Sequence, residues 1–179
     1  MAVTDKKVAI LVDNYFEEAE FEEPYKTLKE AGVAVTVVSS AGRQLQSLHH
    51  TDKGKTFIAD VSLDDAHAND YDALVLPGGA INADHLLMVQ AAREWVQDFT
   101  EKGKPLAVIC HAPWVLVSAD AVNGRKLTSY YTIQDDVRNA GGEWVDDTVV
   151  IDGSLITSRQ PDDLPAFNKA LLDMLASAE

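Results

Sequence analysis

Cys110 is the only cysteine in this chain of 179 residues, and His111 follows it directly. The pair lies in Pro105-Leu-Ala-Val-Ile-Cys-His-Ala-Pro-Trp114, where an apolar run of strand length ends in a turn. Reactive groups in open parallel sheets collect at the carboxyl ends of strands, which is where this thiol falls. A helix starting near His111 would favour the thiolate through its amides and dipole, and those amides could hold an oxyanion. An unperturbed thiol, with a pKa of about 8.5, is only a few per cent ionised at pH 7, so such help matters. Two other readings stay open at this point. Free cysteines are often small buried core residues, and an exposed low-pKa thiol serves equally as an oxidation sensor.

Two carboxylates add to the constellation. Helical spacing from Phe16 to Ala31 puts Phe21, Tyr25 and Leu28 on one stripe, and Gly32 ends it as a cap. Glu17 and Glu20 fall beside that stripe, while Glu18, Glu22, Lys26 and Glu30 form the solvated face. A half-buried carboxyl has a raised pKa, can hold a proton, and can then donate a hydrogen bond to a thiolate. Acids in the first turn of a helix are also what its dipole favours, so the spacing alone leaves both readings standing. Pro77-Gly78-Gly79 follows another apolar run; glycines there let backbone approach a ligand or a neighbouring loop. No phosphate-loop lysine and no complete Gly-x-Gly-x-x-Gly pattern accompanies them.

His49, His50, His67 and His85 lie in polar segments without metal-ligand spacing and read as surface residues, so no metal or cofactor is expected. A single cysteine forms neither an internal disulfide nor a Cys-rich zinc site. No histidine follows His111, which excludes a strand-end cysteine served by a histidine late in the chain. The net charge of −14 argues against a nucleic-acid backbone or an anionic membrane as partner. No apolar run reaches the roughly 18–20 residues of a membrane span, and the amino terminus carries no secretory apolar region, so a cytoplasmic protein is expected.

The elements that must position these groups alternate. Strands are expected at 7–12, 33–39, 71–77 and 106–109, and helices at 16–31, 89–102, 132–140 and 161–176. Residues 43–57 read as a small β excursion and 145–158 as a hairpin turning at Asp152-Gly153. This is one α/β domain over 1–179, a sandwich with a mostly parallel sheet.

Several motifs in order resemble the ThiJ/PfpI family, in particular its PfpI-like intracellular protease and general stress protein subgroup. They are Asn14-Tyr-Phe-Glu-Glu-Ala-Glu20, Tyr71-Asp-Ala-Leu-Val-Leu-Pro-Gly-Gly79, Lys104-Pro-Leu-Ala-Val-Ile-Cys-His-Ala-Pro113, Gly124-Arg-Lys-Leu-Thr-Ser-Tyr130, Asn139-Ala-Gly-Gly-Glu-Trp-Val145 and Thr157-Ser-Arg-Gln-Pro-Asp-Asp-Leu164. The resemblance implies a flavodoxin-like three-layer sandwich with Cys110 as nucleophile on a strained strand-to-helix elbow. It implies that Glu20 contacts the thiol with Glu17 nearby, and that His111 is the companion base. Gly79 and the His111 amide would form the oxyanion pocket beside Gly78, and Tyr130 would border it. Asp84 of a neighbouring subunit would orient His111, which requires at least a homodimer with the site near the interface. The family usually has glycine where this chain has Ala112; if the turn needs positive φ there, Ala112 is strained. The implied activity is that of a cysteine hydrolase acting on a peptide or a small carbonyl, peptidase-like or glyoxalase/deglycase-like. The alternative is an oxidative-stress sensor whose Cys110 is oxidised to sulfenic or sulfinic acid.

Overall fold

The structure is a computed structural model that describes residues 2–178. Strand β1 (Lys7–Leu11) is buried along all but its first residue, because it lies inside the sheet with a parallel neighbour on each side. A two-residue strand β2 (Phe16–Glu17) leads into helix α1 (Glu18–Glu30), and β3 (Ala34–Ser39) returns to the sheet. The hairpin β4 (Gln44–His49) and β5 (Asp52–Ile58) stands apart with β2 as a three-stranded sheet, and β6 (Val61–Ser62) closes the main sheet at one edge. Then follow β7 (Ala73–Leu76), α2 (Ala80–Leu87), α3 (Gln90–Glu101), β8 (Leu106–Ile109) and α4 (Pro113–Ser118). The chain ends through β9 (Lys126–Leu127), α5 (Gln134–Asn139), β10 (Glu143–Trp144), the hairpin β11 (Val150–Asp152) and β12 (Leu155–Ser158), and α6 (Leu164–Ser177).

The main sheet has the order β11-β12-β8-β7-β1-β3-β6 and is parallel except for β11. Alternation along its strands builds two cores. Ala9, Leu11, Leu74, Leu76, Leu106 and Val108 pack under α2, α3 and α4, against Leu86, Phe99 and Leu116. Val8, Ile10, Val75, Ala107 and Ile109 pack under α1 and α6, against Phe21, Leu28, Phe167 and Leu171. Helices thus cover both faces in the flavodoxin-like sandwich that the resemblance implied.

Several boundaries differ from those read from the sequence. Phe16 and Glu17 are strand rather than helix, because they pair with β4 at Ser47 and Leu48. Helix α2 is not among the helices read from the sequence. The segment 132–140 is a short 3₁₀ turn, Tyr131–Ile133, followed by α5. A 3₁₀ turn also occupies Pro161–Asp163, so the first-turn proline of α6 is Pro165 rather than Pro161. The row of Glu18, Glu22, Lys26 and Glu30 is not uniformly solvated. Glu18 accepts hydrogen bonds from Ser47 Oγ at 2.7 Å and from the Lys55 amide at 2.6 Å, and so fastens the hairpin to α1.

One buried side chain ties the strand ends together. Asn82 of α2 accepts a hydrogen bond from the Asp13 amide at 2.7 Å and donates to the carbonyls of Pro77 and Gly78 at 3.1 and 3.0 Å. It thereby sets the loop after β7 against the loop after β1. Replacing Asn82 with Ala removes all three bonds, leaving the Gly78 carbonyl only the longer bond from the Glu17 amide at 3.4 Å, and should lower unfolding free energy by about 2–4 kcal/mol in urea titration.

Candidate functional site

Cys110 follows β8 and precedes α4, with φ of +65°, a left-handed conformation that costs a non-glycine residue about 1–2 kcal/mol. It is held there from both sides. Its amide donates to the Ser158 carbonyl at 3.0 Å, and its carbonyl accepts from the Tyr130 amide at 2.8 Å. The strained elbow thus lies at Cys110, and the turn does not need positive φ at Ala112. Ala112 has φ −61° and ψ −24° and is fully buried, so its methyl fills core space under α4 without backbone cost.

The turn aims the thiol at α1. Glu20 is fully buried, and neither carboxyl oxygen has a conventional hydrogen-bond partner among the described residues; the carboxyl faces the Cys110 thiol and the Gly78 amide. Pro24, four residues on, has no N–H to return to the Glu20 carbonyl. Gly78 must be glycine for lack of space. A Cβ there would overlap Glu20 Oε1 and stand 2.6 Å from Cys110 Cβ and 2.9 Å from the Ile109 carbonyl oxygen. Gly79 has φ +91°, and a Cβ would come within 2.7–2.9 Å of the backbone at Tyr15, Phe16 and Glu17.

Burial pushes the Glu20 carboxyl up to about 8, with the Glu17 charge second, so Glu20 keeps its proton at neutral pH. Burial likewise pushes the Cys110 thiol up, and an ionised Glu20 would push it further; the amides of Gly79 and His111 oppose both. At pH 7 Glu20 is neutral, so its repulsion is absent and its O–H can donate to sulfur. The dipole help read from the sequence is small, because α4 has six residues and opens on Pro113. The thiolate's support comes from two amides and one carboxyl proton instead.

His111 Nδ1 lies 3.2 Å from Cys110 Sγ, and Nε2 lies 3.3 Å from Thr132 Oγ1. A hydroxyl both donates and accepts, so it suits either imidazole tautomer. The ring stacks on Tyr130 with centroids 4.7 Å apart and meets Trp114 edge-on at 5.5 Å. Burial lowers the His111 pKa, which keeps the ring neutral near pH 7. Glu17 sits at the rim, where its carboxylate accepts the His50 amide at 3.1 and 3.3 Å. These groups share a cleft of about 600 Å³ whose lining includes Tyr15, Glu17, Glu20, Gly79, Cys110, His111 and Tyr130.

The structure thus brings together Cys110, His111, Glu20, Glu17, Gly78, Gly79 and Tyr130. It does not bring Asp84 to His111 within one chain. Asn82 and Ala83 turn inward on α2, which leaves Asp84 on its exposed side, in a depression with Leu87, Trp114 and Asp136. Three contributors went unread in the sequence. Asn82 carried one faint signal, an amide in the helix after Gly-Gly. Thr132 and His50 carried none, since a contact 21 residues away and a hairpin folded over the cleft are tertiary facts. Among the described residues no group of three or more His, Cys, Asp or Glu is placed to hold a metal ion, and no helix is long and apolar enough to cross a membrane.

A parallel sandwich with a cysteine on a left-handed elbow beside a buried glutamic acid defines a recognisable class. The sequence profile described as DJ-1/PfpI family matches residues 6–174, and the chain belongs to that family. It is 41% identical over 175 residues to Protein/nucleic acid deglycase 2 of Escherichia coli (strain K12), covering 96% of this chain and 99% of the relative. It is also 41% identical to General stress protein 18 of Bacillus subtilis (strain 168), over 95% and 98% of the two chains. Deglycase PfpI of Pyrococcus furiosus is 38% identical over 94% and 99%. Among solved structures, a two-domain protein from Anabaena variabilis with dj-1/thij/pfpi-like and ferritin-like domains superposes with a TM-score of 0.90 at 36% identity. That match covers 96% of this chain and 48% of the Anabaena chain. The names of these relatives support a stress-related, hydrolase or deglycase type of function.

A carboxyl whose folded pKa lies above its ordinary value binds its proton more tightly in the native state. Stability therefore falls as pH rises from about 4.5 to about 8, by up to ~5 kcal/mol for this group. Glu20→Gln should flatten that decline in urea midpoints measured from pH 5 to 9. It should also raise the pH midpoint of Cys110 alkylation by iodoacetamide, by about one unit, because an amide N–H is a weaker donor to the thiolate. A midpoint that stays or falls would contradict the pairing.

Proposed function

We propose that the protein is a cysteine-dependent stress-response hydrolase acting on electrophilic carbonyls, as a glyoxalase or deglycase on small aldehydes and their adducts. The single observation that carries this is Cys110 Sγ on its left-handed elbow, open to the cleft, with His111 Nδ1 at 3.2 Å and a proton-bearing Glu20 behind it. Cys110 is the nucleophile. Its proton passes to His111 Nδ1, and the sulfur lone pair forms the S–C bond as the carbonyl π pair moves to oxygen. That oxygen takes the proton back from His111 to give a hemithioacetal; for a 2-oxo aldehyde its C1 hydrogen then moves as a proton to C2 through an enediol, and water hydrolyses the resulting thioester to the 2-hydroxy acid and the free thiol. The Gly79 and His111 amides that face sulfur also border the developing oxyanion. Glu20 holds a proton toward the sulfur, and Tyr130 fixes the imidazole plane. The named deglycase relatives support the carbonyl chemistry, and a peptide bond is the less favoured electrophile of the same site.

A second reading, oxidation of Cys110 in place of turnover, is favoured by its being the sole cysteine. With no resolving thiol in the chain, oxidation stops at an acid or at a mixed disulfide with another molecule.

Self-association completes the proposal. Tyr15, Ile81 and Tyr131 are exposed apolar groups near the cleft, and Asp84 faces outward on α2. We take the functional unit to be at least a homodimer in which Asp84 serves His111 of the second copy. The expected surroundings are cytoplasmic, without nucleic acid or membrane as partner.

Cys110→Ala should reduce conversion of methylglyoxal, and release of its adducts, roughly 10³-fold or more. Equal activity in both proteins would remove Cys110 from the mechanism. Peroxide followed by intact-mass measurement decides the second reading: oxygen added only to protein that retains Cys110, without turnover, supports it.

A further inference from the structure

The cleft holds carboxyls and histidines as its titratable lining, besides Cys110 and the two tyrosines. Its lining contains no lysine and no arginine among the described residues. Arg159, next to the lining residue Gln160, is already engaged: its guanidinium donates to Asp163 at 2.9 Å and to Asp146 at 2.8 Å. Lys55 on the neighbouring hairpin is paired with Glu22 at 2.7 Å and lies 3.9 Å from Glu18. Of the two carboxyls in the cleft, Glu20 keeps its proton at neutral pH, and His111 is held neutral by burial. Within one chain, Glu17 is left as the charge that a substrate meets. Its side chain is 13% exposed, opens on the cleft, and is answered by the His50 amide and by His50 Nδ1 at 4.0 Å.

We propose that Glu17 is the charge filter of the cleft, admitting neutral or cationic electrophiles to Cys110 and turning anionic ones away. The substrate class named here rests on the carbonyl chemistry proposed above: neutral 2-oxo aldehydes pass, and 2-oxo acids do not. The filter itself is a property of access to the sulfur, and holds whether or not turnover follows. Two like charges in a partly enclosed cleft are screened less than in bulk water, and repulsion of this kind is how a site rejects a close analogue of its ligand.

Alkylation tests the filter without reference to catalysis. Iodoacetamide and iodoacetate undergo the same displacement, in which the thiolate forms an S–C bond and iodide leaves with the C–I pair. They differ in an amide against a carboxylate. Because Cys110 is the only cysteine, intact mass reports its modification without ambiguity. The ratio of the iodoacetamide rate to the iodoacetate rate should exceed that of 2-mercaptoethanol at least ~30-fold in the wild type. Glu17→Gln, which keeps an acceptor oxygen for the His50 amide, should lower the ratio at least ~10-fold. Glu17→Asp keeps the charge, and should stay within about threefold of the wild type. The Glu17 charge also acts on Glu20, but any resulting change in thiolate fraction affects both reagents equally and cancels in the ratio. A wild-type ratio equal to that of 2-mercaptoethanol would overturn the filter, even if Glu17→Gln failed to fold. So would an unchanged ratio in Glu17→Gln, or equal shifts in the Gln and Asp variants. A strong filter in a protein that converts no aldehyde would sink the enzyme reading and leave the filter standing.

Discussion

A carboxyl sealed from water, with no cation to answer it, must keep its proton or destabilise the helix that carries it. Glu20 is such a group, and the surroundings of Cys110 follow from it. Gly78 has no side chain because Glu20 and Cys110 occupy that space. Cys110 takes a left-handed conformation that aims Sγ at the carboxyl. The proton that burial forces on Glu20 becomes the donor that a buried thiolate needs. Desolvation opposes both charges, so one shared proton lets the pair carry a single negative charge at a time.

The fold delivers this pair by convergence. Cys110 arrives from β8 and Glu20 from α1, which covers the same face of the sheet. The glycine loop arrives from β7 and is fixed by Asn82 of α2, reaching across from the other layer. The β4–β5 hairpin then leans over the opening, pinned to α1 by Glu18, and brings His50 to Glu17. Layers on both sides of the sheet therefore contribute, which explains why the strand ends are tied by a buried amide rather than by packing alone.

Much of this was legible in the residues. Continuous apolar runs marked β1, β7 and β8, and the strand-end position marked Cys110. The placement of Glu17 and Glu20 beside the stripe of Phe21 and Leu28 pointed inward, although full burial of Glu20 came from its packing under the strand-end loops. What escaped was tertiary. Phe16 and Glu17 fitted helical spacing, but pairing with β4 overrode it. Ala80 to Leu87 lay outside the helices read from the sequence, yet the segment is helical and buries Asn82, Ala83 and Leu86 along one side. The strained elbow implied at Cys110 is present, with the backbone held by Ser158 and Tyr130, and the conditional strain at Ala112 does not arise because that residue is helical. Membership of the DJ-1/PfpI family accounts for the ordered motifs.

The protonation state of Glu20 is the hinge of the whole account, and vibrational spectroscopy reads it directly. Infrared difference spectra of protein carrying ¹³C-labelled glutamate, wild type minus Glu20→Gln, isolate its carboxyl band. A protonated carboxyl band that persists through neutrality and gives way to carboxylate only near pH 8 is the expected result. A band already converted to carboxylate by pH 6 would contradict it, and would leave the Cys110 thiolate without its proposed donor.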